Sequence, residues 1–127
     1  MREYVELVPE AVQAEVLEYL DGERKEFSKA IQGLAMSQKG TDFQRAVWRE
    51  IAAIPYGQTA TYKDLAARIG RPNAVRAVGT ACGKNAYPIV VPCHRVVASG
   101  GGLGGYAFGL EMKRRLLKLE GRQDISG

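Results

Sequence analysis

The sequence predicts a mainly α-helical domain with a small β component, organised around a helix-turn-helix. Three observations carry this prediction. Capping-box patterns at Thr41–Gln44 and Thr61–Asp64 each open an apolar stripe with helical spacing. A short alanine-rich helix follows the second box across a glycine-containing turn, which sets two short helices in tandem. The β-branched runs Ile89–Val91 and Val96–Val97 are short and flank the string Pro92-Cys93-His94-Arg95.

Composition bounds the rest. A chain of 127 residues, 46% of them apolar, fits one domain with a short appendage. The net charge of +4 is unevenly spread. Residues 1–38 hold eight acidic and four basic side chains (net −4), and residues 39–127 hold six acidic and fourteen basic (net +8). The basic portion suggests a polyanionic partner. Two separated cysteines and one histidine make no disulfide framework and no zinc site of ordinary spacing, so no metal and no cofactor are expected. Apolar runs are too short to span a membrane and no leader pattern is present, which implies a reduced, cytoplasmic setting.

From the N-terminus, Met1–Val8 reads as a short strand or extended lead-in. Pro9 and Gly22 bracket a helix over Glu10–Asp21 with Val12, Val16, Tyr19 and Leu20 on one stripe. Gly22–Gly40 is polar and mixed, without strong periodicity, and reads as a linker. The helix opened by Thr41 turns Phe43, Val47, Ile51 and Ile54 inward and ends before Pro55. The helix opened by Thr61 carries Leu65, Ala66 and Ile69 and closes at Gly70. Asn73 is the cap candidate for the next helix, Ala74–Cys82.

That last helix is smooth, with Ala74, Ala77, Gly79, Thr80 and Ala81 and a single long basic side chain, Arg76. A reader of base edges normally presents several polar side chains to the major groove. A smooth helix suits close, shape-based approach to the minor groove, with Arg76 reaching into the base stack. A plain helical hairpin is the competing reading.

The turn Gly83–Pro88 leads to the Cys93 segment. Asn85 either pins that turn through backbone hydrogen bonds or is an exposed loop residue. Cys93 is either a small core hydrophobe or a nucleophile whose pKa is lowered by His94 and Arg95. Neighbouring residues on a strand face opposite ways, so direct contact of Cys93 with His94 needs a turn; otherwise a water relays the proton. The run Ala98–Gly109 is too rich in glycine for regular structure and fits neither phosphate-loop nor dinucleotide patterns. Its aromatic residues suit a mobile wall closing on a flat ring. In the final helix, Leu110–Glu120, the carboxyl group of Glu120 lies near the apolar side. It either orients His94 or reaches solvent. Lys113, Arg114, Arg115 and Lys118 read as a solvated face.

Pro92-Cys93-His94-Arg95-Val96, preceded by Asn85 and Arg76-Ala77-Val78-Gly79, resembles the O6-alkylguanine-DNA alkyltransferase family over about residues 40–121. The resemblance implies a winged-helix-like helix-turn-helix DNA-binding alkyltransferase domain over 39–127, preceded by a shortened N-terminal α/β remnant over 1–38. It implies a DNA repair protein that flips O6-alkylguanine out of duplex DNA and transfers the alkyl group irreversibly to Cys93. His94 would deprotonate Cys93 through a water, Glu120 would hold His94 and Asn85 would brace the turn. Tyr62 would crowd the target phosphate. Arg76 would replace the extruded base, with Ala77, Thr80, Lys84 and Arg95 on the same DNA-contact surface. Tyr106, Val96, Ser99, Gly104 and Ala107 would line the base pocket. A monomer acting once on double-stranded DNA, through the minor groove and with little sequence specificity, is the expected form. The chemistry agrees, because guanine O6 is reachable only in a flipped base. Two alternatives stand: a lesion-binding relative of the same architecture that transfers nothing, and a thiol hydrolase built on Cys93 and His94.

Overall fold

Three of the helices begin where a side chain, Ser28, Thr41 or Thr61, accepts from a free amide of the first turn. The structure, a computed structural model, describes residues 1–122. Two 3-10 turns, Arg2–Leu7 and Glu10–Val12, lead into α1 (Gln13–Leu20), and α2 (Lys29–Met36) follows. After α3 (Asp42–Ala52) come β1 (Ala60–Thr61), α4 (Tyr62–Arg68) and α5 (Val75–Gly83). A 3-10 turn at Cys93–Arg95 then precedes β2 (Val96–Val97) and α6 (Leu110–Leu119). Both capping boxes form as the sequence predicts, at Thr41 with Gln44 and at Thr61 with Asp64. The only strands among the described residues are β1 and β2, which pair in parallel with Ala60 opposite Val96 and Thr61 opposite Val97. That pairing sets the Cys93 turn beside the start of α4.

One apolar core runs through the chain. It takes Val12, Val16 and Tyr19 from the N-terminal part, Val47, Trp48 and Ile51 from α3, and Leu65 and Ala66 from α4. Val78 and Ala81 of α5, Ile89, Val90, Val91, Cys93 and Val96 of the following segment, and Met112 and Leu116 of α6 belong to it as well. The Trp48 indole N–H donates to the carbonyl of Ala81 at 2.9 Å and so locks α3 against α5. Gly70, at φ +75°, takes the left-handed conformation that ends α4 and turns the chain into the second helix of the pair.

Four expectations are corrected. Residues 2–7 form a 3-10 helix, not a strand, so the N-terminal part is helical rather than an α/β remnant. The expected linker contains α2, capped by the Ser28 hydroxyl, which accepts from the amide of Ile31. Ala74, not Asn73, caps α5, and no side chain satisfies its first turn. The Cys93 segment is a chain of tight turns rather than a strand. Val91 donates to the carbonyl of Tyr87 at 2.9 Å, Cys93 to Val91 at 2.8 Å and Arg95 to Pro92 at 2.9 Å. Ile89 sits among them at φ 75°, fully buried, a conformation rarely adopted by a β-branched residue.

Candidate active site

Cys93 lies at the end of that run of turns, and Asn85 fixes it there. The Asn85 amide nitrogen donates to the carbonyl of Val91 at 3.1 Å and to Cys93 Sγ at 3.4 Å. The Asn85 amide oxygen accepts from the backbone of Tyr87 and from Gln38 just past α2. Gln38 Oε1 in turn accepts from the amide of Ala86 at 2.9 Å. Asn85 is 5% exposed and bonded through both ends of its amide, so it is the pin of the turn and not a surface residue. Gln38 was not foreseen, because its partners lie 47 and 48 positions away.

His94 is completely buried on the other side of the turn. Its Nε2 lies 2.7 Å from Glu120 Oε2. That carboxylate has every lone pair engaged. Oε1 accepts from Arg95 Nε at 2.8 Å and from the amide of Gly57 at 3.0 Å. Oε2 accepts from His94, from Arg95 Nη2 at 2.9 Å and from the hydroxyl of Tyr19. Although burial raises it, hydrogen bonds from His94 and Arg95 and the charge of Arg95 hold the Glu120 carboxyl well below its usual range. An ionised carboxylate only accepts, so His94 carries its proton on Nε2. Its Nδ1 is left as a lone-pair base, buried and without a hydrogen-bond partner. Burial also pushes the His94 pKa down, which keeps the ring neutral.

Arg95 corrects one expectation. Its side chain is buried, paired with Glu120 and donating from Nη1 to the carbonyl of Ile54 at 2.7 Å, so it is unavailable to DNA. Nor does it activate the thiol. The neighbouring Cys82 thiol and burial hold Cys93 well above its ordinary pKa, so the resting group is a thiol that needs a base. Cys93 and His94 share no hydrogen bond; Cys93 Sγ instead points to the carbonyl of Cys82 at 3.5 Å.

A cavity of about 400 Å³ opens above Cys93. Tyr62 of α4 and Val75, Arg76, Gly79 and Cys82 of α5 form one wall. Gly105, Tyr106, Ala107 and Phe108 form the other. Tyr106 packs edge-on against Phe108 at 5.6 Å, and its buried hydroxyl has no partner. The Tyr62 hydroxyl is held by both the amide and the carbonyl of Gly105 at 3.2 Å. The exposed rim of α5 carries Arg76, Ala77 and Thr80, with Lys84 following the helix.

Three expected pocket residues fall elsewhere. Val96 is buried in β2, Ser99 is exposed on the glycine loop, and Gly104 lies behind Tyr62. Gly104 has φ +74°, and a Cβ there would meet the Tyr62 ring at 2.7 Å. Lys113 is likewise not solvated: it is fully buried, and its ammonium donates to the carbonyls of Val96 at 2.6 Å and Gly105 at 2.9 Å. It ties β2 to the glycine loop, and burial lowers its pKa to about 8.

Comparison with known proteins gives this geometry a context. The sequence profile described as 6-O-methylguanine DNA methyltransferase, DNA binding domain, matches residues 42–122. A methylated-DNA–protein-cysteine methyltransferase of Methanosarcina barkeri is 49% identical over 102 residues, which are 80% of this chain and 61% of that protein. The inducible protein of the same name from Bacillus subtilis is 50% identical over 116 residues, or 91% and 61% of the two chains. This chain thus spans about three fifths of the length of the curated relatives it matches. A crystal structure of Mycobacterium tuberculosis OGT in complex with DNA superposes with a TM-score of 0.77 at 42% identity, covering 88% of this chain and 65% of that one. S. pombe ATL in complex with DNA gives a TM-score of 0.59 at 31% identity, covering 68% and 82%.

Proposed function

Because the chain belongs to the family described by the 6-O-methylguanine DNA methyltransferase DNA-binding domain, we propose that it repairs O6-alkylguanine in duplex DNA by moving the alkyl group onto Cys93. The observation that carries this reading is the cavity of about 400 Å³ with Cys93 at its floor and tyrosines on both walls. Its size suits a flipped purine. Its rim is the exposed small-residue face of α5 with Arg76.

The step is a displacement at saturated carbon. The Cys93 proton passes through a water to His94 Nδ1, and the sulfur pair attacks the alkyl carbon. The carbon–O6 bond breaks, its electrons go to guanine, and the proton ends on the restored base. Cys93 becomes a thioether that no group of the cavity can cleave, so each chain acts once. Glu120 holds His94 in the Nε2-protonated form, Asn85 fixes the sulfur and Tyr106 lies beside the bound base. Tyr62 flanks the phosphate of the target nucleotide. Arg76 fills the gap in the duplex, and Ala77, Thr80 and Lys84 lie along the minor groove. A reduced, cytoplasmic compartment, which keeps Cys93 a thiol, and a monomeric state belong to the same proposal.

The test is intact mass after incubation with an oligonucleotide duplex carrying O6-methylguanine. A gain of one methyl group, absent in Cys93→Ala, supports transfer. Tight binding with unchanged mass refutes transfer and favours a lesion binder, the class to which the S. pombe ATL likeness points.

A further inference from the structure

Tyr19 lies outside residues 42–122, the part matched by the family profile, yet it enters the Glu120 network from α1. Its side chain is fully buried. The ring packs on Phe27 at 5.9 Å and edge-on against Tyr56 at 6.0 Å. Its hydroxyl has two polar neighbours, Glu120 Oε2, to which it donates, and His94 Nε2 at 3.4 Å. With both protons directed at Oε2, that contact is two donors converging on one oxygen rather than a bond between them.

We propose that Tyr19 is a positioning residue for alkyl transfer, whose hydroxyl holds Glu120 and limits how strongly that carboxylate draws a second proton onto His94. The inference rests on the proposed transfer to Cys93. A carboxylate oxygen shared among Tyr19, Arg95 and His94 is a weaker partner for any one of them. The charged and titratable groups facing the imidazole are Lys113 from α6 and Glu120 just past its end, Arg95 from its own turn and Tyr19 from α1, with Tyr56 packed behind Tyr19. Arg95 and Lys113 favour the neutral ring, and Glu120 alone favours the imidazolium. Without the phenol, the negative charge of Oε2 concentrates on His94 Nε2–H and the imidazolium gains stability. His94 Nδ1 would then be occupied at a pH where it must be free to accept. A phenylalanine fills the same space, so the hydroxyl alone carries this effect.

His94 is the only histidine, so a single imidazole NMR signal reports its titration. That titration and the pH profile of Cys93 methylation by O6-methylguanine duplex are compared in wild type, Tyr19→Phe and Phe27→Leu. In Tyr19→Phe both the His94 midpoint and the acid limb move to higher pH by roughly half to one unit. Below the limb the rate falls by roughly three- to tenfold, in keeping with that shift. Phe27→Leu lowers the melting temperature but moves neither midpoint. Placing 3-fluorotyrosine at position 19, a stronger donor, moves both midpoints to lower pH. Unshifted midpoints in Tyr19→Phe, or a fluorotyrosine shift in the same direction as phenylalanine, overturn the inference. A wild-type chain that never gains a methyl group refutes the transfer reading, while the imidazole titration still decides whether Tyr19 sets the basicity of His94.

Discussion

Replacing Glu120 by glutamine keeps the side-chain shape but removes the charge and one acceptor oxygen from a group that receives five donors. With the new amide nitrogen at the Oε1 position, Arg95 Nε and the amide of Gly57 lose their acceptor. At the Oε2 position, Tyr19 can turn its hydroxyl and His94 can carry its proton on Nδ1 instead, so that both accept, but Arg95 Nη2 cannot. Either way a guanidinium only 7% exposed is left without a counter-charge. Breaking a buried pair from one side costs about 3–5 kcal/mol. With a urea slope of about 1.5 kcal/mol per molar, the midpoint falls by about 2–3 M. The assay is urea unfolding followed by the fluorescence of Trp48, the sole tryptophan and 2% exposed. The double variant Arg95→Leu/Glu120→Leu recovers part of the loss, because no unpaired charge remains. A loss under about 1 kcal/mol in Glu120→Gln, below the range for a broken buried pair, refutes the view that this carboxylate anchors the turn.

Further outcomes follow from the same geometry. Gly104→Ala brings a methyl group against the Tyr62 ring at a left-handed backbone position, so it destabilises by about 1–3 kcal/mol and displaces Tyr62 from the cavity. Thermal melts and methyl-transfer rates check both effects, and an unchanged rate would contradict the link from the loop to Tyr62. Arg76→Ala slows transfer from duplex DNA far more than transfer from free O6-methylguanine and leaves the melting temperature unchanged; equal loss on both substrates refutes the view that Arg76 fills the gap left by the extruded base. Acid removes stability in two windows. The folded-state pKa of His94 lies below its ordinary 6.5 and that of Glu120 below 4.5, so in both cases the unfolded chain binds the proton first. Their contributions are present above those values and are lost as pH falls, first below about 6.5 and then below about 4.5. Unfolding free energies measured from pH 7 to pH 4 check this, and a flat profile would contradict the assigned protonation states.

Much of the architecture was legible because its signals are local. The pairs Thr41–Gln44 and Thr61–Asp64 satisfy amides within one turn, and the stripe from Val12 to Leu20 has helical spacing. α2 was hidden because it is only eight residues long with Gly33 inside it and buries only Ala35 fully, so the short Ile31–Leu34–Ala35 stripe was lost in a polar stretch. The Cys93 segment misled for the opposite reason: β-branched residues are abundant there, but Pro92, the strained Ile89 and the Asn85 pin impose turns. In the site, the Cys93–His94–Asn85 constellation stands in one short stretch, whereas its supports are distant. Arg95 and Lys113 read as surface cations, and only the positions of Glu120 and of three backbone carbonyls make their burial tolerable. Tyr19 reads as one more core aromatic, because its partner lies 101 positions away.

The most direct measurement counts alkyl groups. The chain is mixed with excess duplex carrying isotopically labelled O6-methylguanine, and the label is followed to its plateau and mapped by peptide mass spectrometry. The account predicts one label per chain, on Cys93, with unmodified guanine left in the DNA. Continued turnover beyond one per chain, or label on Cys82 in place of Cys93, would contradict it.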